Sequence, residues 1–343
     1  MASWKQFALY PDNTCATQAN STPMKPPHLA WTTLSINTIV ILQGALVRAT
    51  GSGAGCGRDW PRCQGEILPL DHGLATWMEF SHRALSGVAL IMGVWLLIKA
   101  VRLRHDLPGF LPFAIASAVF LLIEALIGAV TVLTGLTGDN VSVARGLLVA
   151  FHLLNSLFLV GALSLTTVYA YPGHTWPPAW TGQTGLKILF AVGMFGMMFL
   201  MFSGGISAMG NTMFPPESLQ EGLREDFSAA SHPLIRLRIL HPFLGIGVGV
   251  YLWVSYALTG WFKRAPQVRP FRKMLLLVYV VQLLVGTVNL AMLGPIPLQI
   301  LHLALAVAAF ALWSVVGWLT LSAPRAGSLA PSMPWQTKEV QPL

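Results

Sequence analysis

Glu79 and His82 stand three residues apart in the stretch WMEFSHRALSGVAL, which begins at Trp77. That spacing is close to one helical turn and puts a carboxylate and an imidazole on one face. The stretch opens a long apolar run, where an ionisable group is costly and by default marks function. Three more histidines, His152, His241 and His302, also lie inside apolar runs. A lone intramembrane histidine commonly just hydrogen-bonds a neighbouring helix. Four at one depth point further, because two facing imidazoles in a bundle core suit axial ligation of heme iron. Zinc or copper would need further ligands at the same level. A di-iron site would need two Glu-x-x-His motifs, and one is present. Arg238 holds the place before His241 that Glu79 holds before His82. A carboxylate can transfer protons or stabilise a cationic centre; an arginine can instead pair a heme propionate. The asymmetry suggests a reactive site in the first half and a fixed electron-transfer heme in the second. Glu79 also has a plainer reading, as an interfacial carboxylate paired with Arg83 or Arg48.

The elements that must position these groups are membrane helices. Of 343 residues, 54% are hydrophobic and 10% charged, against about 25% charged in a soluble domain. A spanning helix needs about 20 apolar residues. Eight runs qualify, at 28–50, 76–99, 110–134, 146–170, 186–209, 236–260, 273–293 and 297–321. Residues 1–27 read as a polar cytoplasmic tail without the blocks of a cleaved signal peptide. Residues 171–185 read as a cytoplasmic linker, and 322–343 as a second cytoplasmic tail.

The net charge of +8 reports topology. Lys99, Arg102 and Arg104 follow the second span, and Lys263, Arg264, Arg269, Arg272 and Lys273 follow or open the sixth connection. Glu217, Glu221, Glu225 and Asp226 crowd the loop after the fifth span. Cytoplasmic loops collect Lys and Arg, so both termini lie inside and the histidines lie near the outer face. Charges confined to short loops argue against a nucleic-acid partner. Cys56 and Cys63 fall in the first outer loop, where an oxidising compartment permits a disulfide. Cys15 falls inside, as an idle thiol.

The halves also resemble each other. LIEALIGAVTVLTG from Leu122 matches VVQLLVGTVNLAMLG from Val280, placing Gly128 and Gly286 158 residues apart. His82 and His241 are 159 apart, and His152 and His302 are 150 apart. Four spans per half make the repeat parallel. The expected fold is an all-α integral membrane protein of two tandem four-helix bundles, 28–170 and 186–321. Arg48, at the outer end of the first span, either binds a propionate or snorkels. Gln43, Glu124, Asn155 and Asn289 can bond across helices, with no role assigned to Glu124. PPESLQEGLREDFSAA reads as a solvated, amphipathic loop helix.

In this order, LQGALVRATGSGAGCGRDWPRC, EFSHR, FHLLNS, ILHPF and LHLALA resemble the heme A synthase family over residues 28–321. The resemblance implies oxidation of the C8 methyl of heme O to a formyl, through two hydroxylations and loss of water. It implies a substrate heme flanked by His82 and His152, a catalytic Glu79, and a resident heme b held by His241 and His302. It implies that Cys56 and Cys63 form a redox-active or structural pair, with Arg48, Arg83 and Arg238 as candidate propionate or polar contacts. The implied setting is the cell membrane, with heme O synthase (protoheme farnesyltransferase) and the cytochrome oxidase assembly machinery as partners and a homo-oligomer left open. The stretch from Asn211 to Arg236 fits the family pattern least. The rival readings are a di-heme b-type electron carrier, such as a quinol–cytochrome b relay, and a transporter.

Overall fold

The computed structural model describes residues 24–69, 72–174, 184–261 and 268–322. Most of the expected N-terminal tail (with Cys15), nearly all of the C-terminal tail, the middle of the 171–185 linker, and Lys263 and Arg264 lie outside the described residues. Ten helices occur among those described: α1 (Pro26–Ala49), α2 (Leu74–Arg102), α3 (Phe110–Leu133), α4 (Val143–Tyr169), α5 (Thr184–Met213), α6 (Leu219–Phe227), α7 (Pro233–Arg236), α8 (Leu240–Trp261), α9 (Arg269–Ala291) and α10 (Ile296–Ser322). Eight segments are long and apolar enough to cross a membrane, the short α7 and α8 together making one of them. The chain is an all-α, multi-pass membrane protein.

Seven of the eight spans fall within about a helical turn of the expected ends. The sixth is broken at its N-terminal end, because α7 closes at Arg236 and α8 begins at Leu240. His232 caps α7, its ring accepting the N–H of Leu234, and Pro233 fills the first position. Pro242 then sits in the first turn of α8, where a missing N–H costs little. The break puts His241 at the second residue of its helix.

Helices α1, α2, α3 and α4 pack in a ring in chain order, with α4 returning to α1. Helices α5, α8, α9 and α10 do the same, with α10 returning to α5. The two rings meet through α4 and α10, which also touch α1. These two central helices are 56% buried over their most apolar window, against 17–33% for the other spans. The outer helices leave Ile91, Phe195, Trp253 and Leu277 more than half exposed, the surface that lipid requires. Between the rings, a Cβ at Gly205 would stand 3.0 Å from the Ala150 backbone, so α4 and α5 approach as closely as small residues allow.

Candidate active site

One cavity of about 910 Å³ is lined by all four histidines, together with Glu79, Glu124, Arg48, Arg83, Arg145 and Arg238. It reaches from α2 and α3 across α5 to α9 and α10.

In the second ring, the imidazoles of His241 and His302 stand 6.1 Å apart between ring centres and nearly perpendicular, at 82°. Two metal–nitrogen bonds of about 2 Å, each extended by a ring radius of ~1.1 Å, would separate the centres by ~6 Å. The separation therefore fits an iron between the two rings. Nδ1 of His241 lies 3.2 Å from the Leu200 carbonyl and 3.2 Å from Ser203 Oγ. A carbonyl only accepts, so Nδ1 carries the proton and Nε2 keeps its lone pair. Glycines seat both rings: a Cβ at Gly204 would lie 2.8 Å from Cε1 of His241, and one at Gly286 would lie 2.7 Å from Cε1 of His302. Gln282 approaches His302 Nε2 at 3.2 Å. Among the described residues no group of three or more His, Cys, Asp or Glu could hold a metal ion. The paired imidazoles thus fit a heme, whose porphyrin supplies the other ligands, better than a bare cation.

In the first ring, Gly44 seats His82 in the same way, at 3.0 Å from Cε1. Gly128 does not seat His152; a Cβ there meets nothing within 4 Å. Glu79 is 4% exposed and is held from two sides. The backbone N–H of Cys56 donates to its Oε2 at 2.8 Å, and Arg83 donates to its Oε1 at 2.5 Å. Arg83 also donates to the carbonyls of Asp59 and Arg62. Of the two partners expected from sequence, Arg83 is the one present. The α1–α2 loop thereby rests on three positions one turn apart along α2, since Thr76 also donates to the Gly55 carbonyl at 2.8 Å. Only glycine fits at position 55, because a Cβ would stand 2.5 Å from the Ala75 backbone. The loop is closed by a disulfide between the buried Cys56 and Cys63.

The arginines are less available than their sequence positions suggest. Arg48 crosses to the other ring, donating to the Ala208 carbonyl at 2.8 Å, to Thr212 and to Gln299 Oε1 at 2.8 Å. Arg238 donates to Asp226 at 2.9 Å and Asn211 at 3.0 Å, and pairs with Glu225 at 3.4 Å. Asp226 and Glu225 belong to α6, which is capped by Ser218 accepting from the Glu221 N–H. Leu219, Gly222, Leu223 and Asp226 of α6 line the cavity, so this helix roofs the site and is more than the solvated loop helix expected. The tie of Asp226 and Glu225 to Arg238 carries no motif in the sequence. Ser203, Gln282, Thr212 and Gln299 are further site residues that carry no motif of their own.

The COX15-CtaA family, described as cytochrome oxidase assembly protein, matches residues 27–314. This chain belongs to that family. It is 39% identical to a protoheme IX farnesyltransferase of Thermus thermophilus over 302 residues, which are 87% of this chain and 48% of the relative. It is 44% identical to the heme A synthase of Staphylococcus carnosus over 112 residues, 32% of this chain and 36% of the relative. It is 47% identical to that of Staphylococcus haemolyticus over 98 residues, 29% of this chain and 32% of the relative. The chain thus spans about half the length of the Thermus relative, and about a third of each of the other two.

Two expectations for this COX15-CtaA protein follow from local geometry. Alkylation without reductant, followed by mass mapping, is expected to find Cys56 and Cys63 blocked; free alkylation of both would show that the loop is open at rest. Gly204→Ala and Gly286→Ala are each expected to push an imidazole off its seat, costing about 1–3 kcal/mol and lowering heme content in the purified protein. Gly247→Ala serves as control, since a Cβ there meets nothing within 4 Å.

Proposed function

We propose that this protein is a heme A synthase, converting the C8 methyl of heme O to a formyl group in the cell membrane. One observation carries the reading: Glu79, buried and clamped, lines the same cavity as two pairs of histidines. The family membership and the resemblance of parts of the chain to proteins named heme A synthase agree with it.

In this reading His82 and His152 flank the substrate heme O, and His241 and His302 hold a resident heme b. When bound, the resident heme supplies one-electron transfer. The first ring, 28–170, is the substrate half and the second, 186–321, the electron-transfer half. Glu79 acts at the methyl carbon. A carboxylate offers about four lone-pair sites, and Cys56 and Arg83 occupy one each. The remaining capacity can take a proton leaving the methyl group or face a positive charge developing there. In a water-poor cavity such a charge–charge contact is worth far more than in water. The Cys56 N–H and Arg83 hold the carboxylate in place before the substrate enters, so no reorganisation is needed during the step. Each hydroxylation is a two-electron oxidation of the C8 carbon, so an electron acceptor or O2, and the oxygen atom itself, must reach the cavity from outside the chain; two of them give a geminal diol, and loss of water leaves the formyl.

The basic segments after the second and sixth spans support an orientation with both termini inside, which puts the disulfide loop, α6 and the heme sites near the outer face. The Thermus relatives, named for farnesyl transfer to protoheme, support a supplier of farnesylated heme as partner. The reading is tested in a host that makes heme O but no heme A. Membranes from cells expressing this chain are expected to yield heme A on extraction and chromatography. Unchanged heme O beside a normal b-type spectrum would instead identify a di-heme electron carrier.

A further inference from the structure

Glu124 sits mid-way along α3, 15% exposed, and lines the cavity. Asn155 Nδ2 donates to its Oε2 at 2.5 Å, and Ser156 Oγ donates to its Oε1. Both donors follow His152 on α4. The same Oε1 stands 3.6 Å from His152 Nδ1. That nitrogen is buried and has no hydrogen-bond partner. The separation exceeds a hydrogen bond by a few tenths of an ångström, within reach of a small turn of the ring. At the position 158 residues on, the same offset as Gly128 to Gly286, stands Gln282, beside His302. The two halves therefore place a carboxylate beside Nδ1 of His152 and an amide beside Nε2 of His302, whose own Nδ1 has no hydrogen-bond partner among the described residues.

We infer that Glu124 is a positioning residue for His152: it accepts the Nδ1–H, leaves Nε2 facing the cavity, and makes this imidazole a stronger electron donor than its counterpart His302. The inference rests on the reading of His152 as a ligand of the substrate heme. Metal-bound histidines generally donate their second N–H to a carboxylate or carbonyl, which fixes the tautomer and raises ligand basicity. His152 has its buried Nδ1 facing a carboxylate and no other partner. Bonding α3 to α4 would not need a carboxylate, since a glutamine's carbonyl could accept from Asn155 while its amide donated to the Ser156 hydroxyl, without placing an ionisable group at membrane depth.

The test uses the full chain, purified in detergent and loaded with heme O, and compares wild type with Glu124→Gln. Glutamine keeps an acceptor for Asn155 and can donate to the Ser156 hydroxyl, but removes the negative charge beside His152. The reduction equilibrium of the heme between His82 and His152 is expected to shift about tenfold toward the ferrous form, about 59 mV for one electron. The heme between His241 and His302 should keep its potential and serves as internal reference. Turnover should fall roughly 10- to 100-fold. Glu124→Asp keeps the charge but withdraws the acceptor by one methylene, and should shift the potential the same way by less. An unchanged potential in either folded, heme-loaded variant would overturn the inference and leave Glu124 a helix-packing residue. If His152→Ala keeps the wild-type spectrum of the substrate heme, His152 is no ligand, and the functional reading falls together with this one.

Discussion

Glu79→Gln is expected to keep both hemes and to lose turnover by roughly two orders of magnitude or more, the scale of one preorganised charged group. Glutamine can still accept the Cys56 N–H, so the α1–α2 loop should stay on α2. Arg83 loses its anionic partner but keeps the carbonyls of Asp59 and Arg62. The structural cost should therefore be that of one charged hydrogen bond, about 1.5–3 kcal/mol. Extraction and chromatography of the purified variant should find heme O, or a singly hydroxylated heme, accumulated in the protein. The plainer role predicts a different result. If Glu79 only anchors the loop through Arg83, the variant will be less stable yet as active per folded molecule as wild type. Scoring product against folded fraction separates the two.

His241→Ala and His302→Ala are each expected to strip the resident heme almost completely. A ring separation of 6.1 Å leaves room for one iron bonded to both imidazoles, and neither ring alone would hold a low-spin heme. The loss should also lower stability, since a ligand present at about 100 times its Kd stabilises the folded form by about 2.7 kcal/mol. The absorption spectrum of the reduced protein and its thermal midpoint report the two effects. A full low-spin b-type spectrum in both variants would mean that the electron-transfer heme sits elsewhere. The alanine variants of His82 and His152 should by contrast retain that spectrum while losing heme O.

How much of this was legible in the sequence depends on the range of the physics involved. The spans were, because about twenty apolar residues have one cheap arrangement in lipid. So was the Glu79–His82 face, which needs only the helical period. The disulfide was legible because Cys56 and Cys63 are close in the chain and share a loop. Partners fixed by tertiary contact were not. Arg48 finds Ala208, Thr212 and Gln299 at separations of 160, 164 and 251 residues, and nothing in RATGSG announces them. The α7–α8 break was not read: the expected span ran unbroken over 236–260, whereas the helix restarts at Leu240, just before His241. Helix α6 is largely exposed, as its charges suggested, but the pairing of Asp226 and Glu225 with Arg238 at the cavity was not visible in them. Glu124 stood out in the sequence as a costly carboxylate without a role; only the fold brings it within 3.6 Å of His152.

The measurement that bears most directly on the proposed chemistry follows one carbon atom. Membranes carrying this chain are supplied with heme O labelled with carbon-13 at the C8 methyl, and the extracted hemes are read by mass spectrometry and carbon-13 resonance. The label is expected to appear in an aldehyde carbon, and to remain a methyl in parallel membranes carrying Glu79→Gln. A label that stays in the methyl group with the wild-type chain, while all four histidines still bind heme, would contradict heme A synthesis by this protein.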